Sequence, residues 1–408
     1  MTYNFDERID RRGTNAESVD AFRHALFGKE SETIIFPCPE EELIRMWVAD
    51  MEFATPEVVV DAIRARLDRR IFGYTANLDS AYYDAFVRWT QDRYGWGFSR
   101  EEMMTSKGVV PALYDLVSYL CAPDEKVLIF TPSYAPFRRA VTFHHLTCLC
   151  SPLKKDGAHY TIDFEDVSRK LEDPKVRLCI FCNPHNPTGR LWSREELERF
   201  GQLCRDKGIW IISDEIHCDL LRTGKQHIPL AKLFPDYDRI ITCMSPSKTF
   251  NIAGLMISNV IIPNAELRKT WHTRQHHSEN PISLVAAQAA YEKGGDWLAQ
   301  LLAYLDGNMA LTKEILKAEL PEAKFCIPEA TYLAWIDLGA YFPPEERLTR
   351  FFAAEAGVLL EDSSMFLQDG ESCIRLNLAS PRPVVREALG RICRAVKERG
   401  GREMPCSR

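Results

Sequence analysis

The 408-residue chain contains no apolar run long enough to cross a bilayer. Its first residues, MTYNFDERIDRRG, place charges within a few positions and offer no apolar stretch of the kind a secretory signal needs. The expectation is a cytoplasmic protein with no membrane contact. Positive charge is also in short supply. The 51 Lys and Arg stand against 58 Asp and Glu, for a net charge of -7. That balance argues against a nucleic-acid partner, and the basic run Arg66, Arg69, Arg70 reads as a solvated helix face. Repeats and low-complexity tracts do not stand out. The 13 cysteines, an odd number, lack the paired CxxC spacings of a zinc site. Many lie inside apolar runs (Cys179, Cys182, Cys243) and read as core thiols of a reducing compartment. Cys148 and Cys150 read as strand residues. No metal site is expected.

What is present is a regular alternation. Short apolar runs at 127–130, 178–182, 209–212, 240–243 and 257–262 are rich in β-branched residues and apolar throughout. Strands buried on both faces have that composition. Amphipathic stretches lie between them, such as 193–207. The pattern predicts an α/β fold with a largely parallel sheet covered on both sides. After about residue 285 the pattern shifts to a long helical stretch and then to TYLAWIDL, GVLLED and CIRLNLA, which read as a smaller α+β domain. The first fifty residues are expected to pack against it.

Each apolar run ends in a polar or aromatic cluster: TPSY at Tyr134, NPHNPTG at Asn186, SDEIH at Asp214 and MSPSK at Lys248. Open α/β sheets bind ligands at the carboxyl edge of their strands. A fifth piece is TSKGVVPALYDL, a glycine-led turn into a helix. Pro111 suits a first helical turn, and backbone N–H groups at Val109 and Val110 would suit a phosphate.

Together these types suggest pyridoxal 5'-phosphate. Its aldehyde needs an amine, and Lys248 is the candidate. Its ring nitrogen needs a carboxylate to hold a proton, and Asp214 follows a buried strand. Asn186 can donate to the ring oxygen, Tyr134 can stack on the ring, and the Ser245 hydroxyl can join the phosphate cradle. An amino-acid substrate carries an α-carboxylate, which an arginine recognises best. Arg375 in CIRLNLASPR is the candidate. His217 is assigned no catalytic role.

NPHNPTG, SDEIH, SPSKTFN and RLNLASPR resemble the fold-type I pyridoxal-phosphate enzymes of the aminotransferase class I/II superfamily. Within it, FDERIDRRGTN, MWVADMEF, FGYT, GVVPAL, CNPHNPTGR and ATYLAWIDL are similar to the MalY/PatB group of cystathionine β-lyase-like C–S lyases. The resemblance implies a large cofactor domain over 56–290 and a small domain built from 1–55 and 291–408. It also implies a homodimer with a shared site, in which Tyr74 reaches the partner's cofactor phosphate. The Val48–Ala49 backbone would lie near the substrate carboxylate. The implied activity is α,β-elimination from cystathionine or a related cysteine S-conjugate, giving pyruvate, ammonia and a thiol. An aminotransferase, a β/γ-replacement enzyme and a cofactor-binding regulatory protein are the alternatives.

Two departures favour the lyase group over aminotransferases. Met256 stands eight residues after Lys248, where an arginine is common, and His217 stands three after Asp214, where a tyrosine is usual. Others point to a changed substrate pocket: the long segment 16–45, MEF at 51–53, and Ser363 and Ser364 where a glycine is usual.

Overall fold

The computed structural model describes residues 2–76, 80–275, 279–367 and 371–403. All five apolar runs become strands of one seven-stranded sheet. In chain order its strands are β1 (Met103–Ser106), β2 (Lys126–Thr131), β3 (Thr147–Pro152), β4 (Val176–Cys182), β5 (Trp210–Asp214), β6 (Ile240–Met244) and β7 (Ser258–Ile261). Their spatial order is β1-β7-β6-β5-β4-β2-β3. Pairing from β6 to β3 is parallel throughout, and only β7 runs antiparallel to its neighbours.

Successive side chains of a strand point to opposite faces, so a sheet covered on both sides must be apolar at every position. In β4, Leu178, Ile180 and Cys182 pack with Leu113 and Val117 of the helix Val109–Leu120. Cys179 and Phe181 pack on the other face with Leu197 and Phe200 of the helix Arg194–Asp206. Each such large buried side chain contributes roughly 1.5–3 kcal/mol. Cys179 and Cys182 do stand three apart in CxxC spacing, but the pleat sends them to opposite faces, where they cannot share an ion. Cys148 and Cys150 lie in β3. The helix Arg194–Asp206 starts on a reciprocal cap. The Ser193 hydroxyl accepts from the Glu196 N–H (3.2 Å), and the Glu196 carboxylate accepts from the Ser193 N–H (2.8 Å).

A second sheet has the order β8-β10-β9, all antiparallel: β8 (Leu333–Asp337), β9 (Glu361–Asp362) and β10 (Cys373–Asn377). It packs with the helices Leu348–Ala356 and Arg382–Glu403 around a core of its own. The start of the chain is divided between the two units. Ile44–Arg45 pairs in parallel with Val358–Leu359, and Phe22, Leu26, Ile34, Leu43 and Trp47 pack against Ala353 and Leu359. Phe5, Met51 and Phe53 instead join Tyr82, Phe250 and Trp297 beside the large sheet. The result is an α/β protein with a large, mostly parallel sheet and a smaller α+β unit. Among the described residues no helix is long and apolar enough to cross a membrane.

Candidate active site

Parallel register brings the polar clusters together. Cys182 is the Cα partner of Asp214, and Asp214 that of Cys243. The chain leaving β4 stays pinned there, because the Asn183 N–H donates to the Asp214 carbonyl (2.9 Å). The Glu215 N–H likewise donates to the Cys243 carbonyl (2.8 Å). The carboxyl ends of β4, β5 and β6 therefore stand side by side, with Tyr134 following β2 at the same edge.

Asp214 is the last residue of β5, inside the strand rather than after it. Its carboxylate accepts from the Ile216 N–H at 3.1 Å. Burial raises its pKa to about 7; the Ile216 bond and Lys248 oppose the rise, and Glu215 adds to it. A buried acid of this kind is suited to hold a proton on a ring nitrogen brought beside it.

Lys248 sits in the short helix Pro246–Thr249, which Ser245 caps through the Ser247 N–H (3.1 Å). The Lys248 Nζ donates to the Ala49 carbonyl at 2.6 Å. Loss of hydration lowers its pKa, Asp50 opposes the shift, and Arg375 adds to it. Thr249, the next residue, donates to the buried Asp219 carboxylate at 2.9 Å, which braces the helix from behind.

Val109 and Val110 are the first two residues of their helix, and no side chain caps it. Their N–H groups belong to the set that an α-helix leaves without internal partners. Tyr134 is half-buried and caps the helix Ala135–Phe143. Burial raises its phenol pKa, and Arg375, Glu361 and Asp214 all act on it, which places it in the same cleft.

Ser245 is buried at the expected place, but its hydroxyl donates to the Ile257 carbonyl at 2.7 Å. That donor is committed to the backbone. Ser247 brings a second hydroxyl within 2.9 Å of it, a group the sequence reading passed over.

Asn186 and Arg375 meet across 189 residues: the Arg375 Nη1 donates to the Asn186 Oδ1 at 3.0 Å. This leaves the Asn186 amide nitrogen to act as a donor. Arg375 lies in β10 and is 2% exposed. Its Nη2 donates to the Trp47 carbonyl (3.1 Å) and to the Glu361 carboxylate, while its Nε has no partner among the described residues. Its guanidinium carbon lies 4.9 Å from the centre of the Phe366 ring.

Val48 and Ala49 line the same place through their carbonyls. The Asn377 amide donates to Val48 (2.8 Å), and the Tyr332 hydroxyl shares the Ala49 carbonyl with Lys248 (2.9 Å). Arg11 clamps the chain just beyond, on Asp50 (2.6 Å) and Glu52 (3.1 Å). The long N-terminal segment reaches the site through Trp47, whose indole donates to the Ser18 carbonyl (3.2 Å). Ser363 and Ser364 lie in the turn after β9, which Asp362 caps, its carboxylate accepting from the Ser364 N–H at 3.0 Å. Tyr332, Asn377 and Glu361 were within quoted motifs, yet nothing in their spacing marked them.

His217 is buried, and its Nδ1 has no partner among the described residues. Burial, with Lys248 and Arg375, lowers its pKa to about 3, so the ring is neutral across the working range. Tyr74 is fully exposed.

The set fits pyridoxal phosphate. Among the described residues, a buried lysine with a lowered pKa, a buried acid in no ion pair, a helix N-terminus without a side-chain cap and unpaired polar atoms at His217 and Arg375 meet needs of that molecule. A mostly parallel sheet with this lysine at its carboxyl edge defines the class. The chain belongs to the aminotransferase class I and II family, whose model matches residues 41–392. Among its relatives, cystathionine beta-lyase PatB of Bacillus subtilis is 40% identical, over 95% of this chain and 98% of that one. Protein MalY of Escherichia coli is 27% identical over 97% and 99%. The PLP-bound C-S lyase of Staphylococcus hominis, solved with L-cycloserine, is 52% identical with a TM-score of 0.94, covering 97% of this chain and 98% of that one.

Proposed function

We propose that the protein is a pyridoxal-phosphate-dependent C–S β-lyase. It cleaves cystathionine or a related cysteine S-conjugate to pyruvate, ammonia and a thiol. The observation that carries this reading is the convergence of Lys248, Asp214, Asn186 and Arg375 on one sheet edge, in a chain similar end to end to C–S lyases.

Pyridoxal phosphate, when bound, supplies an electron sink in conjugation with the substrate α-carbon. Asp214 would hold the proton on its ring nitrogen. The Asn186 amide would donate to the ring oxygen, and Tyr134 would pack against the ring. The N–H groups of Val109 and Val110 would take the phosphate, with hydroxyls of the 245–247 turn beside them. Arg375 takes the substrate α-carboxylate, next to the Val48–Ala49 backbone. Lys248, its pKa lowered, is the base for the α-proton. The electron pair of that C–H bond becomes the Cα–Cβ double bond, the Cβ–S bond breaks, and the sulfur leaves as thiolate. The released enamine takes up water to give pyruvate and ammonia.

Met256 supports lyase over aminotransferase chemistry, since an exposed thioether offers no cation to a phosphate. We read the chain as a large domain, 56–290, and a small one from 1–55 and 291–408; the separate cores of the two sheets support this. The protein acts as a homodimer in which Tyr74 completes the partner's phosphate site. Exposed Leu67, Ile71, Phe72 and Tyr74 form an apolar stretch that supports such a contact. A cytoplasmic location is supported by the cysteines, which form no disulfide among the described residues.

The deciding experiment is incubation of cofactor-loaded protein with cystathionine and no added 2-oxo acid. Equal amounts of pyruvate, ammonia and thiol are expected. Turnover only when a 2-oxo acid is supplied would make it an aminotransferase.

A further inference from the structure

A guanidinium binds a carboxylate with two parallel bonds through one of two edges, Nε with Nη2 or Nη1 with Nη2. Both edges need Nη2. In Arg375 that nitrogen carries two hydrogens, and both are engaged. One goes to the Trp47 carbonyl at 3.1 Å and the other to the Glu361 carboxylate. The hydrogens that remain are one on Nη1 and the unpartnered one on Nε, which do not share an edge. Arg375 in this state has no two-donor edge to offer a substrate.

The partner that blocks it is placed by the fold. Glu361 is the Cα partner of Arg375 in the β9–β10 pairing, so the two side chains leave the sheet on the same face. Glu361 ends in the cleft with little exposure, and the Trp47 carbonyl is backbone next to Met46, whose N–H donates to the Leu359 carbonyl and whose carbonyl accepts from the Asn377 N–H, both at 2.8 Å. Of the two acceptors on Nη2, only Glu361 is a flexible side chain that can swing away. Directly after β9 comes the 3-10 turn Ser363–Met365, where the chain changes direction.

We infer that Glu361 is an internal competitor for Arg375, which the α-carboxylate of an incoming amino acid must displace before it can dock with two bonds. The inference rests on Arg375 being the carboxylate site. It makes Glu361 a specificity-determining residue. An amino acid exchanges one charge-assisted bond for another and enters, whereas a ligand without a carboxylate cannot repay the release of Glu361 and leaves the latch closed.

The test uses holoenzyme and two ligands without a leaving group at Cβ, L-alanine and L-alaninamide, with dissociation constants read from cofactor absorbance. Glu361→Gln should tighten L-alanine by roughly tenfold, because a neutral amide holds the guanidinium less firmly. L-Alaninamide should change less than twofold, an order-of-magnitude bound on the same scale. Glu361→Asp, which keeps the charge on a shorter arm, should fall between parent and Gln. It serves as the second variant if Gln does not fold. Arg375→Lys, run in parallel, should weaken L-alanine and spare L-alaninamide. If it leaves their ratio unchanged, Arg375 is not the carboxylate site and the reading beneath the inference fails. If that ratio changes but neither Glu361 variant tightens L-alanine, Glu361 is a brace for Arg375 and the competitor is overturned.

Discussion

Lys248 donates to the carbonyl of Ala49 at 2.6 Å, a bond that spans 199 residues. The amine is thereby parked on the chain that also receives Tyr332 and, one residue earlier, Asn377. Its bond to a neutral acceptor holds its position without adding the opposite charge that would keep it protonated.

Lys248→Ala is expected to cut pyruvate release by at least about a thousandfold, the scale of losing a positioned base. The variant should still take up pyridoxal phosphate, now removable by gel filtration. A turnover within about tenfold of the parent would falsify the role of Lys248 as the base.

Asp214 predicts a pH signature in the cofactor-free protein. Its folded pKa, about 7, lies above that of an exposed aspartate. The folded state therefore binds the extra proton. The stabilising contribution is full below about pH 4 and is lost as pH rises through about 7. The span is on the order of 4 kcal/mol. Asp214→Asn cannot titrate, so its stability relative to the parent should climb between about pH 4 and about pH 7 in urea unfolding, the window set by those two values. A flat difference would mean that the carboxyl is not held protonated.

Tyr74 projects from the fold rather than into its own chain's cleft. If it serves the partner, two defective chains should repair each other. Lys248→Ala and Tyr74→Ala should each be weak alone. Mixed and allowed to exchange subunits, they should regain activity, because one site of the hybrid carries neither change. No recovery, with exchange shown by mass, would place Tyr74 outside the site.

Gly189 closes the NPHNPTG turn at φ +67°, and an added Cβ would overlap the Pro328 Cβ and stand 2.9 Å from the Ala330 carbonyl. The Ala330 N–H also donates to the Gly189 carbonyl at 3.0 Å, tying the Asn186 turn to the chain that enters β8. Gly189→Ala should cost on the order of 3 kcal/mol, from the left-handed backbone and the overlap together. The urea midpoint reports it, and an unchanged midpoint would show that Pro328 can yield.

The large sheet was legible because its signal is local. A strand buried on both faces is apolar along its length, so its polar groups collect where it ends, and those ends carry Asn186, Asp214 and Lys248. The start of the chain was less legible. Phe5 and Phe22 look alike in sequence, yet they pack in different cores. The Ser245 hydroxyl lay at the right place, but the direction of its hydrogen depends on the Ile257 carbonyl arriving from the next strand.

The sequence by itself determined the α/β fold and the kinds of group at the site, because burial and strand period act over a few residues. Tertiary structure decided how those groups engage one another. Arg375 meets Asn186 and Trp47 from distant parts of the chain, and Glu361 from the strand paired with its own. Only the antiparallel register of β9 on β10 sets Glu361 opposite the arginine, and register is a property of paired strands that neither strand carries alone.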